Sequence, residues 1–169
     1  MSMLKTIFRR RSIRKFKEVP LQEEEISMML KSAMAAPSAN NLKAWHFMVI
    51  DKRELLDQLA EIHPYGKMLK QAPAAILVCG DIQKQAVMGY LALDCTAATQ
   101  NILLAATAMK IGSVWLGVYP REQRMDAISK QLKLPEHIRP ISLIALGFAD
   151  ENKPANNPWT PEVIHNNKW

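Results

Sequence analysis

The chain has 169 residues, 49% of them hydrophobic, and a net charge of +6, which supports one domain over residues 1–169 with its own core and excludes a disordered or low-complexity chain. No uninterrupted apolar run reaches the roughly 18 residues of a membrane span, and the basic start lacks the apolar block of a secretory signal, so a cytoplasmic protein with no membrane partner is expected. Six of the 22 Lys and Arg (Arg9, Arg10, Arg11, Arg14, Lys15 and Lys17) fall within nine residues, and the remaining 16 balance the 16 acids; one tight basic knot suits a small dianion, whereas a nucleic-acid face spreads its charge and interleaves aromatic residues.

Residues 3–11 read as a short helix running into that knot. Pro20 opens a second helix: proline is tolerated in a first turn, Glu23, Glu24 and Glu25 suit the positive end of the dipole, and Ile26, Met29, Leu30, Ala33 and Met34 recur at helical spacing. It ends before Pro37, and Pro37-Ser38-Ala39-Asn40-Asn41 is a loop dense in turn formers. A strand is expected at 46–51 and a helix at 53–62. Beyond Pro73, residues 74–80 read as a buried strand. Residues 87–110 form the longest regular segment, Ala- and Leu-rich on nearly every face with few charges beyond Asp94; a helix apolar all round is either central to a large core or shared between subunits. Cys79 and Cys95 sit in apolar runs and read as buried free thiols of a reducing compartment. A strand at 113–116, a helix at 121–132 and a strand at 141–146 follow. The tail from Asp150 has three prolines and no helical period, yet carries Ile164 and Trp169, as a segment that docks on another surface does. The sum is a mixed α and β chain of about four strands and five helices, without the glycine fingerprint of a dinucleotide unit or a P-loop.

Three constellations carry chemistry. In Arg10-Arg11-Ser12-Ile13-Arg14-Lys15-Phe16, guanidinium forks and a hydroxyl suit phosphate oxygens, alternate residues of an extended segment face one way, and Ile13 and Phe16 supply anchors; a solvated basic turn reads equally from these residues. The loop from Pro37 to Asn41 has small residues that let a planar ligand approach and an asparagine that can pair with an imide edge, and it also reads as a plain helix-to-strand connection. Gly112-Ser113-Val114-Trp115-Leu116-Gly117 ends where a glycine can expose backbone N–H groups, or where a core strand simply stops. No Gly-x-Ser-x-Gly elbow or Cys-x-x-Cys occurs, and His46, His63, His137 and His165 are scattered without metal-ligand spacing. A chain with a dianion site and no reactive side-chain set suits a cofactor that carries the chemistry itself.

In this order the three segments resemble the FMN-dependent nitroreductase family. Its opening Arg-Arg/His-Ser-x-Arg/Lys-x-Phe motif, which grips the FMN phosphate and the pyrimidine side of the ring, is met through Arg10, Arg11, Ser12, Arg14 and Phe16; its Pro-Ser-x-x-Asn-x-Gln-Pro-Trp motif is met through Pro37, Ser38, Asn41 and Trp45, with Lys43 and Ala44 in place of Gln-Pro. Asp94, Ala98, Gln100, Asn101 and Leu104 resemble the family's dimerisation helix, and the ending Ile164-His165-Asn166-Asn167-Lys168-Trp169 is typical. Lys153-Pro154 is kept, but Ala155-Asn156-Asn157-Pro158 follows where relatives carry further Lys or Arg, which shifts the phosphate grip towards the amino-terminal arginines.

The resemblance implies an α+β fold with a central, mostly antiparallel sheet flanked by helices, in an intertwined homodimer whose tails (about 150–169) embrace the partner. It implies FMN sites at the interface: Arg10, Arg11, Ser12 and Arg14 on the phosphate and ring edge, Pro37, Ser38, Ala39 and Asn41 covering the flavin from the other subunit, and the strand end at Leu116 and Gly117 near flavin N5. NADH or NADPH is the implied co-substrate, passing hydride through FMN to a nitroaromatic, quinone or similar small acceptor by a ping-pong mechanism, with no catalytic side chain and no metal. The same scaffold also serves dehalogenation, flavin breakdown and azoline oxidation, and a non-catalytic flavin-binding module is a further alternative.

Overall fold

The computed structural model describes residues 2–156 and 158–169; Met1 of the basic start and Asn157 of the tail lie outside them. Helix α1 (Met3–Arg9) is capped by the Ser2 side chain and stops two residues short of the expected end, because Arg10 is already extended. The knot therefore leaves the helix as open chain. Helix α2 (Glu23–Met34) starts three residues after Pro20, where the Glu25 carboxylate reaches back to accept from the Gln22 N–H at 2.8 Å. This capping contact, not the proline, sets the start.

Strands β1 (Trp45–Ile50), β2 (Ala74–Asp81), β3 (Gly112–Gly117) and β4 (Ile138–Gly147) form one sheet in the order β1-β2-β4-β3, antiparallel throughout. Strand β4 begins three residues earlier than expected. Pro140 lies opposite Cys79, where the register shifts after Val78, and an irregular pair tolerates a residue that cannot donate. The central strand β2 is buried along its whole length, as its unbroken apolar run anticipates.

Helices α3 (Arg53–Ile62) and α5 (Glu122–Leu132) cover one face of the sheet over Leu56, Leu59, Leu77, Leu116 and Leu143, with Ile13 and Phe16 in the same core. Helices α2 and α4 (Met88–Ala108) cover the other over Met29, Ile76, Val78, Leu91 and Ile102. Cys79 belongs to the first core and Cys95 to the second. Both thiols are free, and burial pushes each up to about 12.

Helix α4 is not apolar towards the core on every side. Its buried stripe runs through Leu91, Cys95, Ala98, Ile102 and Ala106, while Tyr90 and Leu93 are 53% and 66% exposed on the opposite face. Two polar contacts fix its rotation: Thr99 Oγ1 lies 2.7 Å from Ser142 Oγ, and Asn101 Nδ2 donates to the Ser32 carbonyl at 2.9 Å. Among the described residues no helix is long and apolar enough to cross a membrane.

Candidate functional site

Strand β3 is an edge strand, and its outer rim is used unevenly. The Ile13 N–H donates to the Ser113 carbonyl at 2.9 Å, so Ser113 turns its polar backbone away from β4. Antiparallel strands alternate residues bonded to the neighbour with residues facing the other way. Trp115 and Gly117 therefore also face outward. The Gly117 carbonyl is taken by His63 Nε2 and by an Arg124 guanidinium N–H, each at 2.9 Å, whereas its N–H is left on the open rim. Gly117 is exposed, and a Cβ built on it meets nothing within 4 Å. Leu116 is different: its side chain is in the core and its backbone is paired with Leu143, so only its neighbour addresses the rim.

The basic segment is bound to the start of the same strand. Ser12 bridges to Ser113, Phe16 bridges to Ala149, and Ile13 and Phe16 are buried, as their anchoring role requires. The Glu151 carboxylate accepts from the backbone N–H groups of Arg14 and Lys15, and Lys153 Nζ donates to the Ser12 carbonyl at 2.6 Å while lying 3.3 Å from Glu151. These contacts hold the Glu151 carboxyl below its usual range, the Arg14 N–H first among them. The Arg11 guanidinium is tied to the Pro154 carbonyl, while the Arg14 side chain is exposed and Arg10 and Ser12 are half-buried. Glu151 and Lys153 thus shape the segment from 136–137 and 141 residues away, respectively. Their only sequence signal is the retained Lys-Pro pair.

The loop from Pro37 to Asn41 sits at the other edge. Ala39 to Asn41 form a 3₁₀ turn in which Asn40 and Asn41 take left-handed backbone angles (φ 52° and 56°), a conformation asparagine adopts more readily than most residues. Asn41 and Pro37 are exposed, and Ser38 Oγ accepts from the Lys43 N–H at 3.0 Å. Asp94 of α4 holds the turn, its Oδ1 accepting from the Ala39 N–H at 2.9 Å. Phe47 of β1, Val78, Ser142 and Gly117 form one row across the sheet. Three strand spacings, about 14 Å, separate its ends. The loop before β1 and the rim of β3 therefore lie at opposite edges of one sheet.

Among the described residues, two buried side-chain atoms lack hydrogen-bond partners: Asp94 Oδ2 beneath the loop and Ser113 Oγ beside the basic segment. One falls beside each of the two motif segments. Buried polar atoms are nearly always satisfied, so each is a polar group that the chain itself leaves without a partner. A groove of about 750 Å³ runs between α2 and β1, lined by Leu21, Ile26, Leu30, Val49 and Pro73 with Glu23 and Asp51. Its charges are acidic, which excludes it as the dianion site.

The chain is an antiparallel α+β fold with an exposed strand end at Gly117 and guanidinium groups beside the start of that strand. The family model described as the nitroreductase family matches residues 7–63 and 63–148, and the chain belongs to that family. It is 44% identical over its whole length, and over 88% of the relative, to a protein of Methanothermobacter thermautotrophicus assigned as NADH dehydrogenase/NAD(P)H nitroreductase. A crystal structure of a protein from Parabacteroides distasonis with the same assignment superposes with a TM-score of 0.95 at 40% identity, covering 99% of this chain and 98% of that one. An FMN-dependent nitroreductase structure from Clostridium difficile gives a TM-score of 0.92 at 32% identity, covering 98% and 99%.

Proposed function

We propose that the protein is an NAD(P)H-dependent FMN oxidoreductase, working as a homodimer that reduces a nitroaromatic, quinone or similar small acceptor in two half-reactions at one cleft. The relatives assigned as NAD(P)H nitroreductases and the FMN-dependent nitroreductase of Clostridium difficile support the cofactor and co-substrate. The observation that carries the reading is the rim of β3, where the outward-facing N–H of Gly117 has no backbone partner among the described residues, on the strand that also anchors the basic segment. The unpartnered Ser113 Oγ on that strand and the exposed Arg14 guanidinium fit a phosphorylated, hydrogen-bonding ring system.

FMN, when bound, would supply the two-electron chemistry that links the nicotinamide nucleotide to the acceptor. The chain does the rest. Arg10 and Arg14 bind the phosphate and the ring's carbonyl edge, Ser12 adds a neutral donor, and Glu151 with Lys153 keeps that segment in shape. Gly117, exposed and without a side chain, would offer its N–H to the reducible edge of the ring. Pro37, Ser38, Ala39 and Asn41 cover the ring of the other subunit, which explains why one chain keeps its two motif segments apart. The exposed apolar face of α4, the exposed Trp159, Val163 and Ile164 of the tail, and the groove along β1 support this dimer, in which the tail of one copy would reach across the other. Buried free thiols suit a reducing cytoplasm.

The test is purification and anaerobic reduction. The protein is expected to be yellow, to release FMN on denaturation, and to bleach with NADH or NADPH and recover colour with a nitroaromatic or quinone, giving parallel double-reciprocal plots. A colourless protein that gains no flavin absorbance with added FMN overturns the cofactor assignment. Intersecting plots overturn the two half-reactions alone.

A further inference from the structure

Gly117 is held by contacts that cofactor binding does not require. His63, just beyond α3, is 2% exposed, and its Nε2 lies 2.9 Å from the Gly117 carbonyl. Its Nδ1 accepts the Tyr65 N–H at 3.2 Å. An amide N–H only donates, so Nδ1 presents its lone pair and Nε2 carries the proton. The ring is thereby fixed in one tautomer. Arg124, from α5, places a second donor on the same carbonyl at 2.9 Å and lies 5.7 Å from the Tyr65 ring. Burial first, and the Arg124 charge to a lesser degree, push the His63 pKa below its ordinary value, opposed by the hydrogen bond to Gly117.

Two helices thus converge on one carbonyl at the end of an edge strand. Glycine has the widest backbone freedom of any residue, and beyond Gly117 the outer rim offers no further strand to hold it. In an extended residue the N–H and C=O point to the same side. Fixing the carbonyl therefore fixes the direction of the Gly117 N–H. A Cβ added at Gly117 would meet nothing within 4 Å, so the two donors act on its backbone and not on a side chain.

We propose that His63, together with Arg124, is a positioning residue for the redox reaction: by holding the Gly117 carbonyl it aims the Gly117 N–H at the reducible nitrogen of the flavin and so sets the cofactor's potential. This rests on the FMN reading above. A donor aimed at that nitrogen stabilises the oxidised ring, whose nitrogen accepts, and not the reduced ring, whose nitrogen bears hydrogen. Releasing Gly117 accordingly makes reduction easier.

The experiment compares wild type, His63→Leu, His63→Gln and Arg124→Leu, each loaded with FMN, by potentiometric titration, visible absorption and steady-state kinetics. In His63→Leu the oxidised-to-reduced ratio is expected to move about tenfold towards reduced, which is about 30 mV upward for a two-electron couple. The visible band shifts with it, and kcat falls while KM for the nicotinamide nucleotide stays within about twofold. His63→Gln, which retains a side-chain N–H, is expected to recover much of the potential, and Arg124→Leu to shift it in the same direction by less. Wild-type potential and spectrum in FMN-loaded His63→Leu overturn the proposal. Should that variant fail to fold, Arg124→Leu, altered at a half-buried position on α5, decides it by the same readouts. A wild-type chain that binds no FMN overturns the functional reading itself, which is a separate outcome from an FMN-loaded variant with unchanged potential.

Discussion

At Gly117 stability and activity are expected to move in opposite directions. The residue is not in the left-handed region, and a Cβ there meets nothing within 4 Å. Gly112 and Gly80 are the contrast, since a Cβ would lie 2.9 Å from an Ile13 methyl at the first and 2.4 Å from Leu91 at the second. Gly117→Ala therefore removes unfolded-state freedom without native strain, a gain of about 0.4–1 kcal/mol. At roughly 2–4 °C per kcal/mol for a chain of this size, the FMN-free protein should melt about 1–4 °C higher. Gly117→Val keeps the strand, because a β-branched side chain suits extended backbone, but it fills the space assigned to the ring. Small displacements of reacting atoms cost about 100-fold in rate. Scanning calorimetry of the FMN-free variants at matched concentration gives the first quantity, and anaerobic rapid-mixing bleaching of the FMN-loaded protein gives the second. A melting point several degrees below wild type for Gly117→Ala refutes the open space. Wild-type bleaching in fully loaded Gly117→Val refutes the placement of the flavin.

Arg10→Ala and Arg14→Ala should each weaken FMN binding by about 1.5–3 kcal/mol, tenfold or more, by fluorescence titration, with little change in turnover of the saturated enzyme; unchanged affinity in both returns the knot to a solvated turn. Sedimentation at micromolar concentration should give twice the chain mass, and Leu93→Asp on the exposed face of α4 should halve it and release FMN; a monomer that retains FMN contradicts the shared site. Cys79 and Cys95 should resist thiol reagents at pH 8 until the protein unfolds, since folding raises both thiols to about 12. An unfolded thiol ionises near about 8.5, so their contribution to stability is full below that pH and declines as pH rises above it. Urea midpoints across this range check the sign, and stability that rises on the alkaline side would contradict it.

The sequence carried the element order, because each signal was local. The apolar run Ala75-Ile76-Leu77-Val78 is legible as a central strand, and the repeat of Met29, Ala33 and their neighbours as a helix facing the core. The three motif segments were legible for the same reason, as residue types within a short span. Boundaries set by competition were not: the Gln22–Glu25 cap displaced Pro20 as the start of α2, and a register shift admitted Pro140 into β4.

What only the tertiary structure decided is which groups meet. Glu151 and Lys153 reach the Arg14 segment across the whole chain, and His63 meets Gly117 across 54 residues. No local pattern records such pairs, because they arise when β3 and β4 bring distant loops to one sheet edge. The separation of the loop at Asn41 from the rim at Gly117 is likewise a matter of strand order, β1-β2-β4-β3, which puts the two motifs at opposite margins. Sequence by itself suggested a chemistry for each motif segment; the packing of α3 and α5 against the sheet determined which donors hold Gly117, because a hydrogen bond depends on position in space and not on distance along the chain.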